Sequence, residues 1–223
     1  MIGDLLTGTL AEEIAAAPIR VFVPTTPATA VAARAARLLG NERLSLSQGF
    51  TAPAGLPRDW ATDAFTLLRQ GLLGVAVTPV QLDAAGRTNL SGIGTPGRPK
   101  VALIGPRGLT ENNDTPSPLW YLFAQHSPRT LVERVDIVCG AAPSQEAGRR
   151  VLLTPAGCFD LVDGRWVARW LAPGGLDLIA EAPAFPIEVA DETPERGAPA
   201  AATLDALAAA DPGRSRLAEF GES

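Results

Sequence analysis

The first half of the chain alternates short apolar runs with amphipathic segments, which predicts strands and helices in turn. Residues 4–17 have the apolar spacing of a helix, and Ile19–Pro24 form a short apolar run typical of a buried strand. Residues 28–39 again have helical spacing, and Leu44–Gln48 alternate apolar and polar side chains as a second strand does. Strands separated by a helix favour an α/β fold with an open, mostly parallel sheet.

Later apolar segments predict further elements of the same sheet. We expect a helix over residues 59–71, one strand over residues 71–83 and another strand over residues 131–140. Between these strands the chain is rich in turns, and the loop over residues 105–118 is long for a compact domain. Loops of this length are usually functional or disordered, so this loop is a candidate part of a site.

Residues 149–171 alternate in a way that predicts a late antiparallel hairpin. Its turn is expected at Asp163-Gly164, because this dipeptide favours the two-residue turns that join antiparallel strands. Trp166 and Trp170 lie four positions apart in the second strand of the hairpin. Since strand side chains alternate with a period of two, both rings are expected on one face.

Composition changes near the carboxyl terminus. Residues 193–223 are rich in Ala and Pro and contain one short helical candidate, Thr203–Ala210. We therefore divide the chain into a main domain, residues 1–192, and a tail, residues 193–223. The tail either docks on the main domain or is disordered, and composition alone leaves both alternatives open.

Charge and hydropathy exclude several classes of function. The net charge is −5, whereas nucleic-acid binding requires clustered Lys and Arg. No basic residue precedes Arg20, so no signal peptide is expected. No apolar run approaches the roughly 18 residues that a membrane span needs. We expect a soluble cytoplasmic protein of bacterial type, with no nucleic-acid or membrane partner.

Cysteine and histidine usage gives no sign of a metal site. Cys139 and Cys158 belong to no paired motif and lie in apolar runs, so both are expected to be buried thiols. His126 is the single histidine, which excludes a site built from several histidines of this chain. We therefore expect no metal.

Five segments, taken in order, resemble the β subunits of family I CoA-transferases over residues 18–190. The most specific is VQLDAAGRTNLSGIG, in which Gln81, Asp83, Gly86 and Asn89 match the family's strand-turn motif. Arg87 departs from it, since family members usually have asparagine there. The other four segments are GRPKVALIGPRG, HSPRTLVERVDIVCG, VLLTPAGCFDLVDGRWVARWLAPGG and AFPIEVAD.

Within the family, the chain is most similar to the β subunit of the heteromeric hydrolase that opens the last steroid ring in cholesterol catabolism. Asn112, the pair His126 and Arg129, and the opening PTTPATAVAARAARL carry this closer resemblance. It implies the sheet of the CoA-transferase and sugar-phosphate-isomerase type and a site completed by an α subunit, in an αβ or doubled αβ heteromer. Coenzyme A would enter as part of an acyl-CoA substrate, and no separate cofactor is implied.

The residue expected to carry the transferase chemistry is absent. Family transferases use a glutamate at the end of an early β-subunit strand as a nucleophile, which forms a glutamyl-CoA thioester. The corresponding stretch here is LSLSQGFTA, which places Gln48 or Ser47 at the glutamate position. Neither side chain is a carboxylate, so neither can form that thioester.

Three functions remain open. The resemblance implies hydrolytic C–C cleavage of a cyclic β-keto acyl-CoA, with the catalytic glutamate supplied by the α subunit. The alternatives are a subunit of a 3-oxoacid or glutaconate type CoA-transferase and a non-catalytic structural subunit.

The resemblance also suggests which residues contact the substrate. His126 is a candidate for proton transfer, because its ordinary pKa lies near neutrality. Glu111 is the carboxylate nearest the long loop, and Arg129 can pair with CoA phosphates or with Glu133. The candidates for binding substrate or CoA are Gly105, Arg107, Gly108, Asn112, Asn113 and Gln81.

Overall fold

A computed structural model describes residues 1–47, 60–105, 111–181 and 185–222, without the side chains of residues 60–63 and 111. The helices are α1 Ile2–Ala16, α2 Pro27–Leu38, α3 Trp60–Arg69, α4 Gly175–Glu181 and α5 Ala201–Ala210, with 3₁₀ helices at Glu111–Asp114 and Ser215–Phe220. The strands are β1 Val21–Val23, β2 Ser45–Leu46, β3 Leu73–Val77, β4 Gln81–Asp83, β5 Thr88–Asn89, β6 Gly92–Thr95, β7 Arg98–Ala102, β8 Leu119–Leu122, β9 Leu131–Val132, β10 Arg150–Thr154, β11 Gly157–Val162, β12 Arg165–Leu171 and β13 Ile187–Glu188.

The main sheet has eight strands in the order β13-β12-β11-β10-β8-β3-β1-β2. The five strands from β10 to β2 are parallel, and β11 and β12 form the antiparallel part. Asp163 and Gly164 both have positive φ at the β11–β12 turn, as the sequence predicts. The predicted α/β fold, an open and mostly parallel sheet with a late antiparallel hairpin, is therefore confirmed.

Helices α1, α2 and α5 cover one face of the main sheet. Small alanines along α2 and leucines of α1 form a continuous core with strand side chains such as Phe22 and Trp120. Helix α2 begins at a capping box, in which Thr26 and Thr29 bond each other's backbone N–H groups, and Pro27 occupies the first turn. This threonine cap fixes where the chain turns from β1 into α2.

The opposite face is covered by α3 and by a small three-stranded sheet, β5-β4-β9. Here two sequence predictions were wrong. The single strand predicted over residues 71–83 is two strands in different sheets, because Pro79 follows β3 and has no N–H group to continue a ladder. The strand predicted over residues 131–140 is a strand only at Leu131–Val132.

The two tryptophans of β12 lie on opposite faces, which corrects the prediction that they share one. The register shifts where Cys158 pairs with Trp170 and Phe159 pairs with Ala168, so Arg169 is an extra residue in β12. A bulge of this kind reverses the facing of the residues beyond it. Trp166 therefore packs on the small-sheet side and Trp170 on the α1 side.

The carboxyl-terminal segment packs on α1 and α2. Helix α5 confirms the predicted helix at Thr203–Ala210, and the 3₁₀ helix at Ser215–Phe220 follows it. The Glu222 carboxylate accepts hydrogen bonds from the first backbone N–H groups of α1, at Ile2 (2.8 Å) and Gly3 (3.0 Å). Among the helices in the described ranges, none is both long and apolar enough to cross a membrane.

Candidate functional site

Polar side chains follow the carboxyl ends of the five parallel strands. In strand order they are Ser47 after β2, Thr25 after β1, Thr78 after β3, His126 beyond β8 and Thr154 at the end of β10. Ligands of open α/β sheets bind outside these ends. This row, called the strand-end edge below, is the candidate site.

Ser47 lies at the β2 end of the strand-end edge. Its side chain is fully buried, and its backbone N–H donates to the Phe22 carbonyl oxygen at 2.9 Å, which fixes it beside β1. Gln48, the other candidate for the glutamate position, lies outside the described residues. Which of the two corresponds to the family's glutamate therefore stays open.

His126 lies at the β8 end of the same edge. Its Nδ1 is 2.9 Å from Thr154 Oγ1, and its ring is 6.3 Å from the ring of Phe159. Burial lowers the pKa of His126 to about 4, because the charged imidazolium loses solvation. The imidazole is therefore neutral at physiological pH. Adjacent strands lie about 4.8 Å apart, so the ends of β8 and β2, three strands apart, are separated by roughly 14 Å.

Gln81 lies in the small sheet, in a network of short hydrogen bonds. Its Oε1 accepts from Asn89 Nδ2 at 2.7 Å and from the Asp136 backbone N–H at 2.9 Å. Asn89 Nδ2 also donates to the Gly92 carbonyl at 2.7 Å. Three separate segments are thus tied together by two buried amides.

Asp83, fully buried, organises the turn of the same motif. Its carboxylate accepts from the backbone N–H groups of Ala85, Arg87 and Val135 and pairs with Arg87 Nε at 2.7 Å. Gly86 has φ +76, which a side chain would strain. The spacing of the VQLDAAGRTN motif therefore encodes a closed hydrogen-bonded turn, and Arg87 satisfies the carboxylate within it.

The long loop is described only at its two ends. Gly105 has φ +88, and its N–H donates to the Leu90 carbonyl at 3.2 Å. Arg107 and Gly108 lie outside the described residues, as does the side chain of Glu111. Beside Gly105, the Cys139 thiol is 3.0 Å from Ser91 Oγ and accepts from the Leu90 N–H at 3.2 Å.

Asn112 and Asn113 lie at the opposite edge of the sheet from His126. Asn113 Oδ1 accepts from the Tyr121 hydroxyl at 2.6 Å, and its amide donates to the carbonyls of Gly86 and Ala141. Arg150, at the start of β10, binds the Asn112 carbonyl at 3.0 Å. At about 3.3 Å per strand residue, the start of β10 lies roughly 13 Å from its end. The structure thus separates the asparagines from the strand-end edge.

Arg150 is a structural anchor that the sequence alone did not single out. It is buried, and its guanidinium donates to six carbonyl oxygens, including those of Ser117 and Gly148 at 2.8 Å each. Burial lowers the pKa of Arg150, opposed by its electrostatic interactions with Tyr121 and Asp114. This arginine anchors the end of the long loop, and an arginine in a run of basic residues gives no sign of such a role beforehand.

A carboxylate from the distant C-terminal segment approaches the strand-end edge. Glu219 Oε2 accepts from the Ala28 backbone N–H in the first turn of α2 at 2.6 Å. Glu219 also lines a cavity of about 160 Å³ with Thr78, Leu122 and Ala124. It belongs to the α2 side of the sheet, whereas His126 packs against Phe159 on the other side. Sequence reasoning missed it because nothing local places residue 219 near residue 28.

The remaining candidates are Cys158 and Arg129. Cys158 is buried, and burial raises the pKa of its thiol to about 12. Arg129 is exposed and makes no ion pair with Glu133. Within the described part of the chain, no group of three or more His, Cys, Asp or Glu residues could hold a metal ion.

Comparison with known proteins identifies the fold. No protein-family model matches the sequence, and no curated protein matches it by sequence. The structure is similar to the decarboxylase AibA/AibB, with a TM-score of 0.84 and 22% identity over 99% of both chains. It is also similar to IpdAB of Rhodococcus jostii RHA1 (TM-score 0.81, 21% identity, 98% of both chains). A third match is glutaconate coenzyme A-transferase of Acidaminococcus fermentans (TM-score 0.75, 16% identity, 97% of both chains).

These likenesses establish the architecture at the level of the whole chain. The chain has the family I CoA-transferase fold, as its sequence motifs predicted. At these identities the likeness carries no assignment of substrate or reaction.

Proposed function

We propose that the chain is the β-like subunit of a heteromeric enzyme that cleaves a C–C bond of a cyclic β-keto acyl-CoA by hydrolysis. The observation that carries the proposal is the strand-end edge, whose described strand-end residues are hydroxyls and an imidazole rather than carboxylates. The two-part names of the AibA/AibB and IpdAB neighbours support a partner subunit. Coenzyme A enters with the substrate, no other cofactor or metal is required, and the setting is the bacterial cytoplasm.

The chemistry divides between the two subunits. A glutamate of the α-like partner takes a proton from water as its oxygen adds to the ring ketone. The ring C–C bond then breaks, and its electron pair passes to the carbon beside the thioester carbonyl, forming an enolate that is protonated there. The product is a ring-opened carboxylic acid that keeps its CoA thioester, so no acceptor acid is consumed.

The residues of this chain bind and orient the substrate. The enolate places negative charge on the thioester oxygen, and preorganised hydrogen-bond donors stabilise such charge. In this proposal the strand-end edge supplies a hydrogen-bond donor at His126, and binding of the CoA portion is assigned to Gly105, Arg107 and Gly108. Asn112, Asn113 and Gln81 act indirectly, because their hydrogen bonds hold the segments that flank this loop.

Glu219 is a carboxylate of this chain near the strand-end edge, so a role as nucleophile has to be considered. Its 2.6 Å bond to the α2 backbone is the geometry of a helix cap, which restrains the carboxylate. We assign it a structural role. Glu219→Gln keeps an acceptor oxygen for the Ala28 N–H, so the complex with this variant should retain turnover.

The test is a reconstitution with an α-like subunit of the same fold family. The purified complex should convert a cyclic β-keto acyl-CoA of the steroid-ring type into the ring-opened acid without added acceptor. Strict dependence on an acceptor acid would instead make the complex a CoA-transferase. Equal rates with and without this chain would make it a structural subunit.

The AibA/AibB neighbours favour a second candidate, decarboxylation of a carboxylated acyl-CoA. Loss of CO₂ leaves an electron pair on carbon and generates the same kind of enolate, so the same donor would serve. Carbon dioxide release from an unsaturated or β-keto acyl-CoA diacid, with no ring-opened product from cyclic substrates, would select this reaction.

A further inference from the structure

The hydrogen bonds around Thr154 determine which ring nitrogen of His126 carries its proton. Thr154 is fully buried, and its Oγ1 accepts a hydrogen bond from the Ala156 backbone N–H at 3.1 Å. The other contact of this hydroxyl among the described residues is His126 Nδ1, at 2.9 Å. Among the described residues, the hydroxyl hydrogen therefore has one acceptor within reach, and that acceptor is Nδ1.

Only one placement of the hydrogens gives both the Thr154 hydroxyl and His126 Nδ1 a hydrogen-bond partner. If Thr154 donates to Nδ1, then Nδ1 is unprotonated and the neutral ring carries its hydrogen on Nε2. If Nδ1–H donated instead, the threonine hydrogen would be buried without an acceptor, which native structures avoid. Thr154 thus locks the tautomer of His126, while the Ala156 N–H orients the hydroxyl.

The other nitrogen of the ring is open to a ligand. Nε2 has no hydrogen-bond partner in the described ranges, and it is not one of the buried polar atoms left unpaired there, so it is accessible to solvent. His126 is half-buried beyond β8, at the edge where ligands of this fold class bind. Its ring is held from behind by Thr154 and from the side by Phe159.

We propose that His126 acts as a neutral hydrogen-bond donor, whose Nε2–H binds the thioester carbonyl oxygen of the acyl-CoA as that oxygen gains negative charge, with Thr154 as its positioning residue. This assignment rests on the proposed function, because it takes an acyl-CoA as the ligand. A ring that carries its hydrogen on Nε2 cannot accept a proton there. His126 is therefore not the general base, and that role falls to the carboxylate of the partner.

The tautomer is measured directly, without any substrate. Because His126 is the single histidine, ¹⁵N-histidine labelling of the full chain, free or bound to its unlabelled partner, gives one imidazole spectrum. At neutral pH the two-bond ¹H–¹⁵N correlations should show a protonated Nε2 and an unprotonated Nδ1. A protonated Nδ1 would overturn the proposal.

Substitutions of Thr154 separate its positioning role from simple packing. Thr154→Val keeps the shape but removes the hydroxyl, so the ring should become a mixture of tautomers, and Thr154→Ser should restore the Nε2–H form. Thr203→Val is the matched control: this buried threonine donates to Glu12 at 2.6 Å, far from the imidazole, and the spectrum should not change. A pure Nε2–H form in folded Thr154→Val would show that Thr154 does not set the tautomer.

Activity of the complex tests the donor itself. Replacing an oxyanion donor typically lowers kcat by about 10² to 10³. His126→Phe should show a loss of this size with little change in KM, and His126→Gln, whose amide can donate, should recover part of it. An unchanged kcat in His126→Phe would overturn the donor role. If the tautomer is Nε2–H but the complex transforms no acyl-CoA, the proposed function fails while the tautomer assignment stands.

Discussion

At the scale of single residues, the sequence singled out individual groups but gave no indication of their partners. Gln81 and Asp83 were recognisable as a motif, yet only the fold shows that both bind the segment at residues 135–136. His126 stood out as the single histidine, but its bond to Thr154 joins residues that are 28 positions apart. Such partners depend on strand order, which local spacing does not encode.

The imidazole of His126 should titrate far below its ordinary range. Its pKa is lowered to about 4 by burial, whereas an unfolded chain gives about 6.5. Between these values the unfolded state binds more protons, so this contribution to stability is complete above pH 6.5 and is lost as the pH falls towards 4. NMR titration should give a midpoint near 4, and the free energy of unfolding should fall more on acidification in the native chain than in His126→Gln. A midpoint near 6.5 would contradict the burial that the structure shows.

Removal of the Asp83 carboxylate should destabilise the chain strongly. Asp83→Ala leaves three backbone N–H groups and the Arg87 guanidinium without their acceptor, and breaking such a buried pair costs about 3 kcal/mol. Urea unfolding measures the change. The control is Arg165→Ala, which removes an exposed ion pair with Glu188 and should cost less than about 1 kcal/mol. Equal losses in the two variants would contradict the structural role of Asp83.

At the scale of secondary-structure elements, periodicity predicted the positions of strands and helices better than it predicted their connections. The α1, α2 and hairpin predictions were confirmed because each rests on local signals: apolar spacing, a threonine cap and an Asp-Gly turn. The predicted facing of the Trp170 side chain was wrong, because the bulge at Arg169 has no local signature in the sequence. The break after β3 was also missed, although Pro79 marks it.

The C-terminal segment should depend on the ion pairs of Arg216. This buried guanidinium pairs with Asp4 at 2.7 Å and with Asp211 at 3.1 Å, joining the segment to α1. Arg216→Ala leaves the buried Asp211 carboxylate without its cation, so unfolding should become easier by about 3 kcal/mol. Limited proteolysis should then cut residues 211–222 faster than in the native chain.

The matched control for this segment is Asp205→Asn. Asp205 is exposed on α5 and forms no ion pair with the described residues, so its replacement should leave stability and cleavage unchanged. Resistance of Arg216→Ala to proteolysis would contradict the docking role. The division into residues 1–192 and 193–223 stays a prediction, since packing against α1 and α2 does not define a domain boundary.

At the scale of the whole molecule, the order of the sequence motifs was enough to predict the fold. The five segments resemble family I CoA-transferases in order along the chain, and the structure matches chains of that fold over 97–99% of their length. The reaction could not be predicted in the same way, because in the proposed function a second subunit supplies part of the active site, and those groups are not in this sequence.

The isolated chain should show no turnover of any acyl-CoA. The proposed hydrolysis needs a carboxylate base, and the described residues that follow the parallel strands do not provide one. Steady-state assays of the pure chain should therefore give the background rate, and addition of the α-like subunit should restore turnover. Turnover by the pure chain at the rate of the complex would contradict the shared site.

The most direct measurement asks whether a carboxylate of this chain ever bonds to CoA. The complex is incubated with acyl-CoA, treated with borohydride, which reduces an enzyme-bound thioester to an alcohol, and digested for mass spectrometry. We predict that every Asp and Glu of this chain, Glu219 included, is recovered unmodified while substrate is consumed. An alcohol in place of any of these carboxylates would contradict the account.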